Sequence, residues 1–581
     1  MYVLGLNAFH GDCAACLFYN DKLIAAVEEE RLIRIKHAAG FPTNSIKFCL
    51  EYADIKVKDI DYVAINRNPN LRIINKFLYS IKNIFNSKNI LNRISNFKKI
   101  NTIESQFEKY FNQKLKNKPI LVDHHLAHAA SSTLMSGFKE CNYVTLDGFG
   151  DFVSTSIGNF NNNKFDKLKE VQFPHSIGLF YSAITQFLGF DKYGDEYKIM
   201  GLSSYGSPSL KKKINEIIMY DKKNLFKLNL KFFKHHNDGI EMSWLEGEPI
   251  ISQIFSNELI NLLGNQRKID EKITDFHIDV AASAQSVFED LSIQIINDLY
   301  TLSPSNNLTL SGGCAMNSVM NGKILDNTKY KNVYINHSPG DSGGSIGAGM
   351  IAIMKNHKET VSISDDPYLG PDFSNDKIFK IIQNYHTEFK RKNIEIKKFV
   401  SKDDKFKNIA INLSRKDVIG LFQGRMEFGA RALGNRSIIS DPRNPNIKQL
   451  LNEKIKNREK FRPFAPSILE EQTKNWFNNS DSVPFMSKVY KIKNEKKNIV
   501  PGVVHIDKTC RLQTVTKEYN YNFYRIIYEF FKITNVPIIL NTSFNENEPI
   551  VCNPSEAIEC FLRTKMDKLY IEDYLIFRKS I

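Results

Sequence analysis

The segment His124–Ala130, with the letters HHLAHAA, has the residue types and the spacing of a metal-binding helix in this 581-residue chain. His124 and His128 are four residues apart in a run of alanine and leucine that favours helix. On one helix face, two neutral imidazoles at this spacing can bind the same transition metal ion. Because the pattern is short, two polar histidines on a helix surface are the alternative interpretation.

An aspartate that follows a predicted strand is a candidate third ligand. The segment Tyr143–Leu146 has the character of a buried strand, and it ends at Asp147 within the letters DGFGD. A carboxylate at the carboxyl end of a strand is well placed to join two histidines around a metal. Histidines and carboxylates suit iron, manganese or zinc, and the order of affinities alone does not choose among them.

Two glycine-rich loops could bring backbone N–H groups close to a phosphate or a nucleotide. The first, Ser311–Asn317, follows the predicted strand Asn307–Leu310, and the second, Ser338–Ser345, leads into the predicted helix Ile346–Met354. Glycine turns of this kind also occur for purely structural reasons. The candidate nucleotide contacts in the two loops are Gly312, Gly313, Asn317, Gly340 and Gly343.

The carboxyl-terminal part of the chain concentrates arginine among glycine and proline. Guanidinium groups bind phosphate through two N–H groups at once, and several around one cavity indicate a polyanionic ligand. After the predicted strand Val536–Leu540, the amide of Asn541 could bond a small amide or a ribose. The basic residues concerned are Arg425, Arg431, Arg436, Lys456, Arg458, Arg462 and Arg511, and His505 precedes the last of them.

Composition indicates a globular protein of two or three domains with full cores. Hydrophobic residues make up 42% of the chain, and the mean hydropathy is −0.33. No apolar run approaches the roughly 20 residues that span a bilayer, and no basic leader precedes the first strand-like residues, so we expect a cytoplasmic protein without a transmembrane segment. Cys13 and Cys16 have CxxC spacing and are expected to pack in a strand as reduced thiols.

Much of the net charge of +15 comes from residues 62–103, which contain eight basic residues and no acidic one. Isoleucine and phenylalanine alternate with these charges. The segment could form a basic amphipathic surface for anionic lipid, nucleic acid or a charged substrate, or it could be a solvated helical insertion. Sequence-specific binding to nucleic acid is not expected, because no nucleic-acid-binding motif is present.

The start of the chain and the region after residue 142 share one pattern. Each begins with a strand, continues through a turn that contains glycine and aspartate, and then forms a hairpin. In the first region the strand is Tyr2–Ala8 and the turn is His10–Asp12. The repetition predicts an internal duplication with the layout of the actin-like ATPase superfamily, in which ATP phosphates lie between two related halves.

A change of composition predicts the domain boundary. Residues 358–403 are polar and basic and include Pro367 and Pro371, so we interpret this range as a linker region. The predicted domains are therefore residues 1–357 and residues 404–581.

Taken together, these motifs resemble the O-carbamoyltransferase family, which includes tobramycin, cephamycin and nodulation-factor carbamoyltransferases. The resemblance extends over nearly the whole chain, and eight motifs in one order are not expected by chance. The matching segments are HHLAHAAS, LDGFGD, EYKIMGLSSYG, LSGGCAMN, PGDSGGSIGA, GRMEFGARALGNRS, FRPFAPS and NTSFN.

The resemblance implies an α/β chain: a duplicated actin-like ATPase-type domain, similar to the tRNA threonylcarbamoyl-transfer proteins, and a YrdC-like C-terminal domain. The first domain would bind a nucleotide and a divalent metal, typically iron. The second would form carbamoyl adenylate from carbamoyl phosphate and ATP, with Mg²⁺ accompanying the ATP. The matching positions are His124, His128, Asp147 and Asp341 for the metal, and Arg431, Lys456, Arg462, Arg511 and Asn541 for the second reaction.

The implied function is ATP-dependent transfer of the carbamoyl group to a hydroxyl of a small-molecule acceptor, a sugar or a sugar-containing natural product. His10, in the first turn, is a candidate base or orienting group, and a histidine that caps the turn backbone is the alternative. A small-molecule kinase and a catalytically silent nucleotide-binding protein are alternative functions, and a homodimer is compatible with the sequence. Lys508 and Ala430 stand where this family usually has glycine and proline.

Overall fold

The chain folds as two compact units. The computed structural model describes residues 1–82, 103–238, 242–245, 247–356 and 364–579. The units are Met1–Asp365 and Asp366–Ile581. Residues 83–102 of the basic segment 62–103 lie outside the described residues, so its predicted surface is not followed there. Within the described ranges, no helix combines the length and the apolar character needed to cross a membrane.

The described part of the first unit contains two main sheets and two small hairpin sheets, together with helices. Its strands are β1 (Tyr2–Asn7), β2 (Ala14–Tyr19), β3 (Lys22–Glu28), β4 (Tyr62–Ile65), β5 (Ile120–Leu121), β6 (Cys141–Gly150), β7 (Val153–Asn161), β8 (Lys164–Gln172), β9 (Ile218–Asp221), β10 (Leu225–Leu228), β11 (Met242–Leu245), β12 (Glu248–Ile251), β13 (Asn307–Ser311) and β14 (Asn332–Ile335). Its helices are α1 (Glu29–Ile33), α2 (Thr43–Tyr52), α3 (Ile73–Lys82), α4 (Ile103–Phe111), α5 (His124–Met135), α6 (Ile177–Phe187), α7 (Glu196–Leu202), α8 (Lys211–Ile214), α9 (His235–Asp238), α10 (Asn257–Leu263), α11 (Asp275–Leu302), α12 (Ser318–Asn327) and α13 (Asp341–Asn356).

The two main sheets of this unit have the same strand order. One runs β3-β2-β1-β4-β5, and the other, read from its opposite edge, runs β8-β7-β6-β13-β14. In each, the first three strands of the repeat are antiparallel neighbours, and the last two run parallel to the first strand. The repeated order confirms the predicted internal duplication and the actin-like fold of the first unit. The hairpins β9–β10 and β11–β12 form separate small sheets.

The helices that follow the fifth strand of each repeat pack closely together. α5 follows β5, and α13 follows β14, so the two helices have equivalent places in the duplication. The absence of a side chain at Gly347 permits the contact, because a Cβ there would lie 1.8 Å from the carbonyl oxygen of Ala127. This approach brings Asp341, at the start of α13, within 3.3 Å of His128 on α5.

The second unit is built on one mixed sheet. Its strands are β15 (Ile394–Lys398), β16 (Ile419–Phe422), β17 (Arg436–Ser440), β18 (Ala465–Leu469), β19 (Lys488–Lys491), β20 (Thr509–Val515), β21 (Ile538–Ser543), β22 (Lys568–Ile571) and β23 (Tyr574–Arg578). Its helices are α14 (Asn375–Asn384), α15 (His386–Arg391), α16 (Lys402–Ser414), α17 (Ile447–Lys454), α18 (Thr473–Trp476), α19 (Tyr521–Thr534) and α20 (Pro554–Arg563). The nine strands follow the order β15-β23-β22-β16-β17-β21-β18-β20-β19, which gives the predicted α/β class.

The predicted linker over residues 358–403 needs a correction. Two helices and a strand, α14, α15 and β15, form within it, and β15 pairs with β23 at the edge of the large sheet. α14 buries Ile378 and Ile382, which are one helical turn apart. β15 exposes every residue after Ile394, and this polar edge strand explains why the composition indicated a linker.

The cysteines agree with the packing interpretation. All eight are free thiols in the structure. Cys16 lies on β2 and Cys13 directly precedes it, with exposed fractions of 0% and 1%. Burial raises the pKa of the Cys16 thiol to about 12, so this thiol is neutral and unreactive at neutral pH.

Lys508 provides a test of backbone strain in the second unit. It adopts φ of 65° in the turn directly before β20. For a residue with a side chain, this left-handed backbone conformation is about 1–2 kcal/mol less stable than the right-handed one. Lys508→Gly would remove this strain, but glycine also loses more chain entropy on folding, which offsets part of the stabilisation. The substitution should therefore raise the free energy of unfolding by about 0.5–1 kcal/mol. Chemical denaturation measures this as a higher midpoint with an unchanged m-value.

Asn535→Gly is the matched control for this substitution. Asn535 ends α19 at a similar φ of 56°, but asparagine tolerates this conformation, so the control should change the midpoint less. A midpoint for Lys508→Gly that stays the same or falls would contradict the strain argument.

Candidate metal centre and anion-binding site

The helix α5 begins at His124 because neighbouring carboxylates bond its first turn. Asp123 Oδ1 accepts a hydrogen bond from Leu126 N at 3.0 Å, and Asp151 Oδ2 accepts one from His124 N at 3.0 Å. These bonds satisfy N–H groups that a helix leaves free at its start. His124 and His128 then lie one turn apart with exposed fractions of 4% and 0%, so the interpretation as surface histidines is wrong.

Asp147 and Asp341 complete a cluster of four buried side chains. The Nε2 atoms of His124 and His128 lie 3.1 Å apart. Asp147 Oδ2 lies 3.2 Å from His124 Nε2, and Asp341 Oδ1 lies 3.3 Å from His128 Nε2. One ligand atom from each side chain lies within 4.8 Å of all the others. This spacing suits atoms that share one metal at roughly 2.0–2.2 Å.

The bonding of His124 tests whether a metal fits. Its Nδ1 donates to the Asn66 carbonyl at 3.2 Å, so Nε2 is the ring atom that could bind a metal in place of a proton. That atom faces Asp147 and the Nε2 atom of His128. Across the described part of the chain, the buried Asp341 Oδ1 has no hydrogen-bond partner. A shared cation would satisfy all these atoms, so the four side chains fit a divalent transition metal.

Opposite charges in the cluster keep each other ionised. Burial alone would lower the pKa of His124, but Asp147 and Asp341 raise it to about 9. Burial and Asp341 oppose the ionisation of Asp147, yet His124 and His128 hold the pKa of that carboxyl below its usual range. The pKa of Asp341 is likewise held well below its usual range, against burial, by His10 and by the same two imidazoles. Both carboxylates are therefore in the form that binds a metal.

Two further histidines near the cluster have different partners. His10 Nδ1 lies 2.6 Å from Asp341 Oδ2, a contact suited to the orienting role that the sequence analysis considered. His125 instead contacts Thr145 Oγ1 at 2.7 Å and the Val153 carbonyl at 3.0 Å. Burial lowers the pKa of His125 to about 4. This neutral ring therefore anchors α5 to β6 and β7, whereas His10 remains the candidate base.

The glycine-rich loops serve the packing of the first unit. Gly312 has φ of 90°, and a Cβ there would lie 2.2 Å from the Leu146 carbonyl oxygen. Gly313 N donates to Asp147 Oδ1 at 2.8 Å, so this loop orients a candidate metal ligand. A Cβ on Gly343 would lie 1.8 Å from a carbonyl oxygen of its own loop. Close packing therefore accounts for glycine at these positions without a nucleotide.

The other two predicted nucleotide contacts differ from each other. Asn317 Oδ1 caps α12 by accepting from Met320 N at 3.0 Å, and its Nδ2 donates to Gln285 at 2.9 Å. Gly340 is more open, since the nearest atom to an added Cβ is in Met316 at 3.6 Å. Nucleotide binding by the two loops stays a prediction.

The charges of three arginines in the second unit act on a fourth, Arg511. Burial first, and then the charges of Arg431, Arg458 and Arg462, lower the pKa of Arg511 well below its usual range. Arg511 Nε is buried and has no hydrogen-bond partner within the described ranges. Like charges held together in this way are stabilised when an anion binds among them.

Two buried side chains of the same segment, Glu427 and Arg436, bond the backbone around the loop that carries Arg431. Glu427 Oε1 accepts hydrogen bonds from Leu433 N at 2.7 Å and from Asn435 N at 2.8 Å. Arg436 is 0% exposed and donates to backbone carbonyls, including that of Gln423 at 2.8 Å. Among the arginines of the GRMEFGARALGNRS segment, Arg436 thus stabilises the loop through its bonds to backbone carbonyls. Arg431 is the one whose charge acts on Arg511.

Lys456 is held by acceptors in the turn after β21, and the role that the family match implies for it stays a prediction. Its Nζ donates to the carbonyl oxygen and to Oδ1 of Asn545 at 2.8 and 2.7 Å, and to the carbonyl of Ser543. Burial and the charge of Arg458 lower the pKa of Lys456 well below its usual range. Since its three donors already have acceptors, Lys456 holds the turn after β21. Arg462 lies 3.5 Å from Glu459.

Asn541 on β21 bonds a residue that shares a sheet face with Arg511. Arg511 and Gln513 are two residues apart on β20 and therefore share a face of the sheet. Asn541 Nδ2 donates to Gln513 Oε1 at 2.9 Å and to the carbonyl of Ala432, the neighbour of Arg431, at 3.2 Å. Its Oδ1 is buried and finds no donor in the described chain. Asn541 thus offers one vacant acceptor on the sheet that also carries Arg511.

Sequence analysis did not single out the residues that orient the metal ligands. Asp151 bonds the first N–H of α5, and its place in the DGFGD segment was an available signal. Asn66 orients His124 through its backbone carbonyl, and Gly313 orients Asp147 through its backbone N–H. Backbone groups exist at every position, so the sequence carries no specific signal for these two contacts.

Comparison with known proteins decides the family. The sequence profile described as carbamoyltransferase N-terminus matches residues 2–350, and the profile described as carbamoyltransferase C-terminus matches residues 410–578. The chain belongs to the carbamoyltransferase family. This confirms the resemblance drawn from the motifs and makes the chain an enzyme that transfers carbamoyl groups.

Relatives extend over the whole carbamoyltransferase chain. A protein of Synechocystis sp. is 34% identical and aligns with 100% of this chain and 97% of its own length. Nodulation protein NolNO of Sinorhizobium fredii is 34% identical over 99% of this chain and 80% of its own length. Among solved structures, HypF of T. kodakarensis matches 63% of this chain and 49% of its own, at 12% identity and a TM-score of 0.31. The fold assignment therefore rests on the strand order described above.

The metal site can be tested by metal content. Asp341→Asn and His128→Ala should each lower the metal bound after loading with Fe²⁺, Mn²⁺ or Zn²⁺ by about tenfold or more, because each removes a direct ligand. Elemental analysis of the desalted protein measures this and also ranks the three metals. His386→Ala, at an exposed position of α15, is the control and should retain the wild-type content. Equal metal in wild type and both variants would contradict the site.

Proposed function

We propose that this carbamoyltransferase takes its carbamoyl group from carbamoyl phosphate, activates it with ATP and delivers it to a hydroxyl of a sugar or a sugar-containing metabolite. The observation that carries the proposal is the arginine cluster of the second unit, in which the charges of three other guanidinium groups act on Arg511. A phosphate group has the charge and the oxygen acceptors that this site needs. Beside it, Asn541 Oδ1 could accept a hydrogen bond from the carbamoyl NH₂ group.

The proposed activation has two balanced steps. One water molecule cleaves carbamoyl phosphate to carbamate and inorganic phosphate. A carbamate oxygen then attacks the α-phosphorus of ATP, which forms carbamoyl adenylate and displaces pyrophosphate. Arg431, Arg462 and Arg511 would stabilise the charge that develops on the phosphate oxygens, and Mg²⁺ would accompany the ATP. A site shielded from bulk water protects both labile carbamoyl species.

We assign the transfer step to the first unit. The acceptor hydroxyl attacks the carbamoyl carbon, and AMP leaves with the bonding electrons. A divalent metal such as iron, held by His124, His128, Asp147 and Asp341, would polarise the carbamoyl oxygen as a Lewis acid. The contact of His10 Nδ1 with Asp341 orients the imidazole, which leaves Nε2 as the atom that could take the hydroxyl proton.

The adenylate half of the intermediate would lie along the second glycine-rich loop. Gly340 is open on its Cβ side, and α13 begins at the next residue. The N–H groups at a helix start favour a phosphate. A nucleotide in this place is adjacent to Asp341 and therefore to the proposed metal.

The first experiment measures the nucleotide products. The purified protein should convert ATP to AMP and pyrophosphate only when carbamoyl phosphate is present. Arg431→Ala and Arg511→Met should each lower the kcat/KM for carbamoyl phosphate by about 100-fold or more, because each removes a fixed cation from the developing charge.

Arg391→Ala is the matched control for these variants. Arg391 is 75% exposed and has one long ion pair, 3.7 Å, with Glu388, so its loss should leave the rate unchanged. ADP as the product would overturn the proposal in favour of a kinase. No turnover by metal-loaded protein, with no nucleotide affinity, would favour a silent binding protein.

Asn541 should decide between carbamoyl phosphate and other acyl phosphates. The proposed hydrogen bond from the carbamoyl NH₂ group is absent for acetyl phosphate, so Asn541→Leu should lower the preference for carbamoyl phosphate over acetyl phosphate by about tenfold. Competitive inhibition constants of the two compounds measure the preference. Inhibition by inorganic phosphate is the internal control, since the arginines remain. An unchanged preference would show that Asn541 does not contact the carbamoyl group.

A further inference from the structure

Arg72 connects three parts of the first unit through one guanidinium group. Its Nε and Nη2 donate to the two carboxylate oxygens of Glu170 at 3.1 and 2.7 Å. Its Nη1 donates to Asp123 Oδ2 at 3.0 Å and to the carbonyl of Asp151 at 3.3 Å. The side chain is 12% exposed. Arg72 belongs by sequence to the basic segment, but these bonds show that its charge is used inside the unit.

The acceptors of Arg72 are the groups that hold the first turn of α5. Asp123 caps the helix through its other carboxylate oxygen, Oδ1, which accepts from Leu126 N. Asp151 accepts from the backbone N–H of His124 through Oδ2 and offers its carbonyl to Arg72. Both carboxylates therefore hold the first turn of the metal-binding helix, and the Asp151 carboxylate bonds His124 itself.

We infer that Arg72 is a positioning residue for the metal centre, acting through Asp123 and Asp151 on the orientation of His124. This inference rests on the metal site in the proposed function. Without the guanidinium, the partly buried carboxylates of Asp123 and Glu170 would lose their common cation. Each carboxylate would then turn toward water, and the cap of α5 would loosen. His124 would lose its fixed direction although no metal ligand is changed.

The backbone at Arg72 supports a specific placement. Its φ is 56°, in the left-handed region that arginine seldom occupies. Such a conformation persists where the surroundings over-determine it, and here the bonds to Glu170 and Asp123 fix the side chain. A lysine in this place has a single charged atom and no planar fork, so it does not reach both carboxylates and the carbonyl at once.

The test measures Co²⁺ binding to the metal-free full chain by titration. Arg72→Met should weaken Co²⁺ binding by about tenfold, the lower end of the effect of residues that orient metal ligands. Arg72→Lys keeps the charge and should weaken it less. Hydrogen exchange of the metal-free protein provides a second readout, and the first turn of α5 should exchange faster in Arg72→Met than in wild type.

Arg267→Met is the matched control. Arg267 is 9% exposed in the same unit and donates to the backbone carbonyls of Leu188, Ile269 and Glu271. Its loss should lower thermal stability but leave Co²⁺ affinity within about twofold of wild type.

The outcomes separate this inference from the proposed function. Wild-type affinity in Arg72→Met would overturn the role of Arg72 and leave the metal centre intact. Equal weakening in Arg72→Met and Arg267→Met would also overturn it, because the effect would then be general destabilisation. Absence of Co²⁺ binding by wild-type protein would overturn the metal centre itself and the positioning role with it.

Discussion

The first unit depends on the close approach of α5 and α13, the helices that follow the fifth strand of each repeat. Because the two halves share one topology, equivalent ends of their elements meet. His124 begins one helix, and Asp341 begins the other. Asp147 lies late in the first strand of the second repeat, and His10 follows the first strand of the first repeat. The candidate site is therefore built from corresponding edges of a duplicated fold, and binding at such edges is a general property of open α/β sheets.

The two units contain electrostatic conflicts of opposite sign. In the first unit, two buried carboxylates repel each other beside the Nε2 atoms of two imidazoles, and a shared cation would relieve the conflict. In the second unit, the charge of Arg511 adds to those of neighbouring guanidinium groups, and an anion would relieve it. Folding supplies the energy that holds both sets of like groups together, and places where local rules are broken in this way are expected to be functional.

The sequence predicted more of the fold than of the site. The strand and turn pattern was sufficient to predict the duplication. The spacing of His124 and His128 was sufficient to predict that the two residues lie on one face of a helix. Asp341 is more than two hundred residues from them in the sequence, so only the family resemblance placed it in the ligand set. Lys456 also carried a family match, and its bond to Asn545 could not be predicted, because a sequence motif does not show which direction a side chain takes. The contacts through the Asn66 carbonyl and the Gly313 N–H have no residue-type signal at all.

Net charge is a poor guide to function in this chain because its cations have different partners. Arg72 is neutralised by Glu170 and Asp123, and Arg436 is fully buried against carbonyls. Neither group is free to bind a polyanion, although both add to the formal charge. Arg511, like Arg436, keeps a buried Nε without a partner in the described residues, but Arg511 as a whole is only partly buried. In the proposed function, affinity for phosphate would therefore come from the cations that are not fully buried, whereas the uncharged Asn541 supplies the vacant acceptor that could distinguish one acyl phosphate from another.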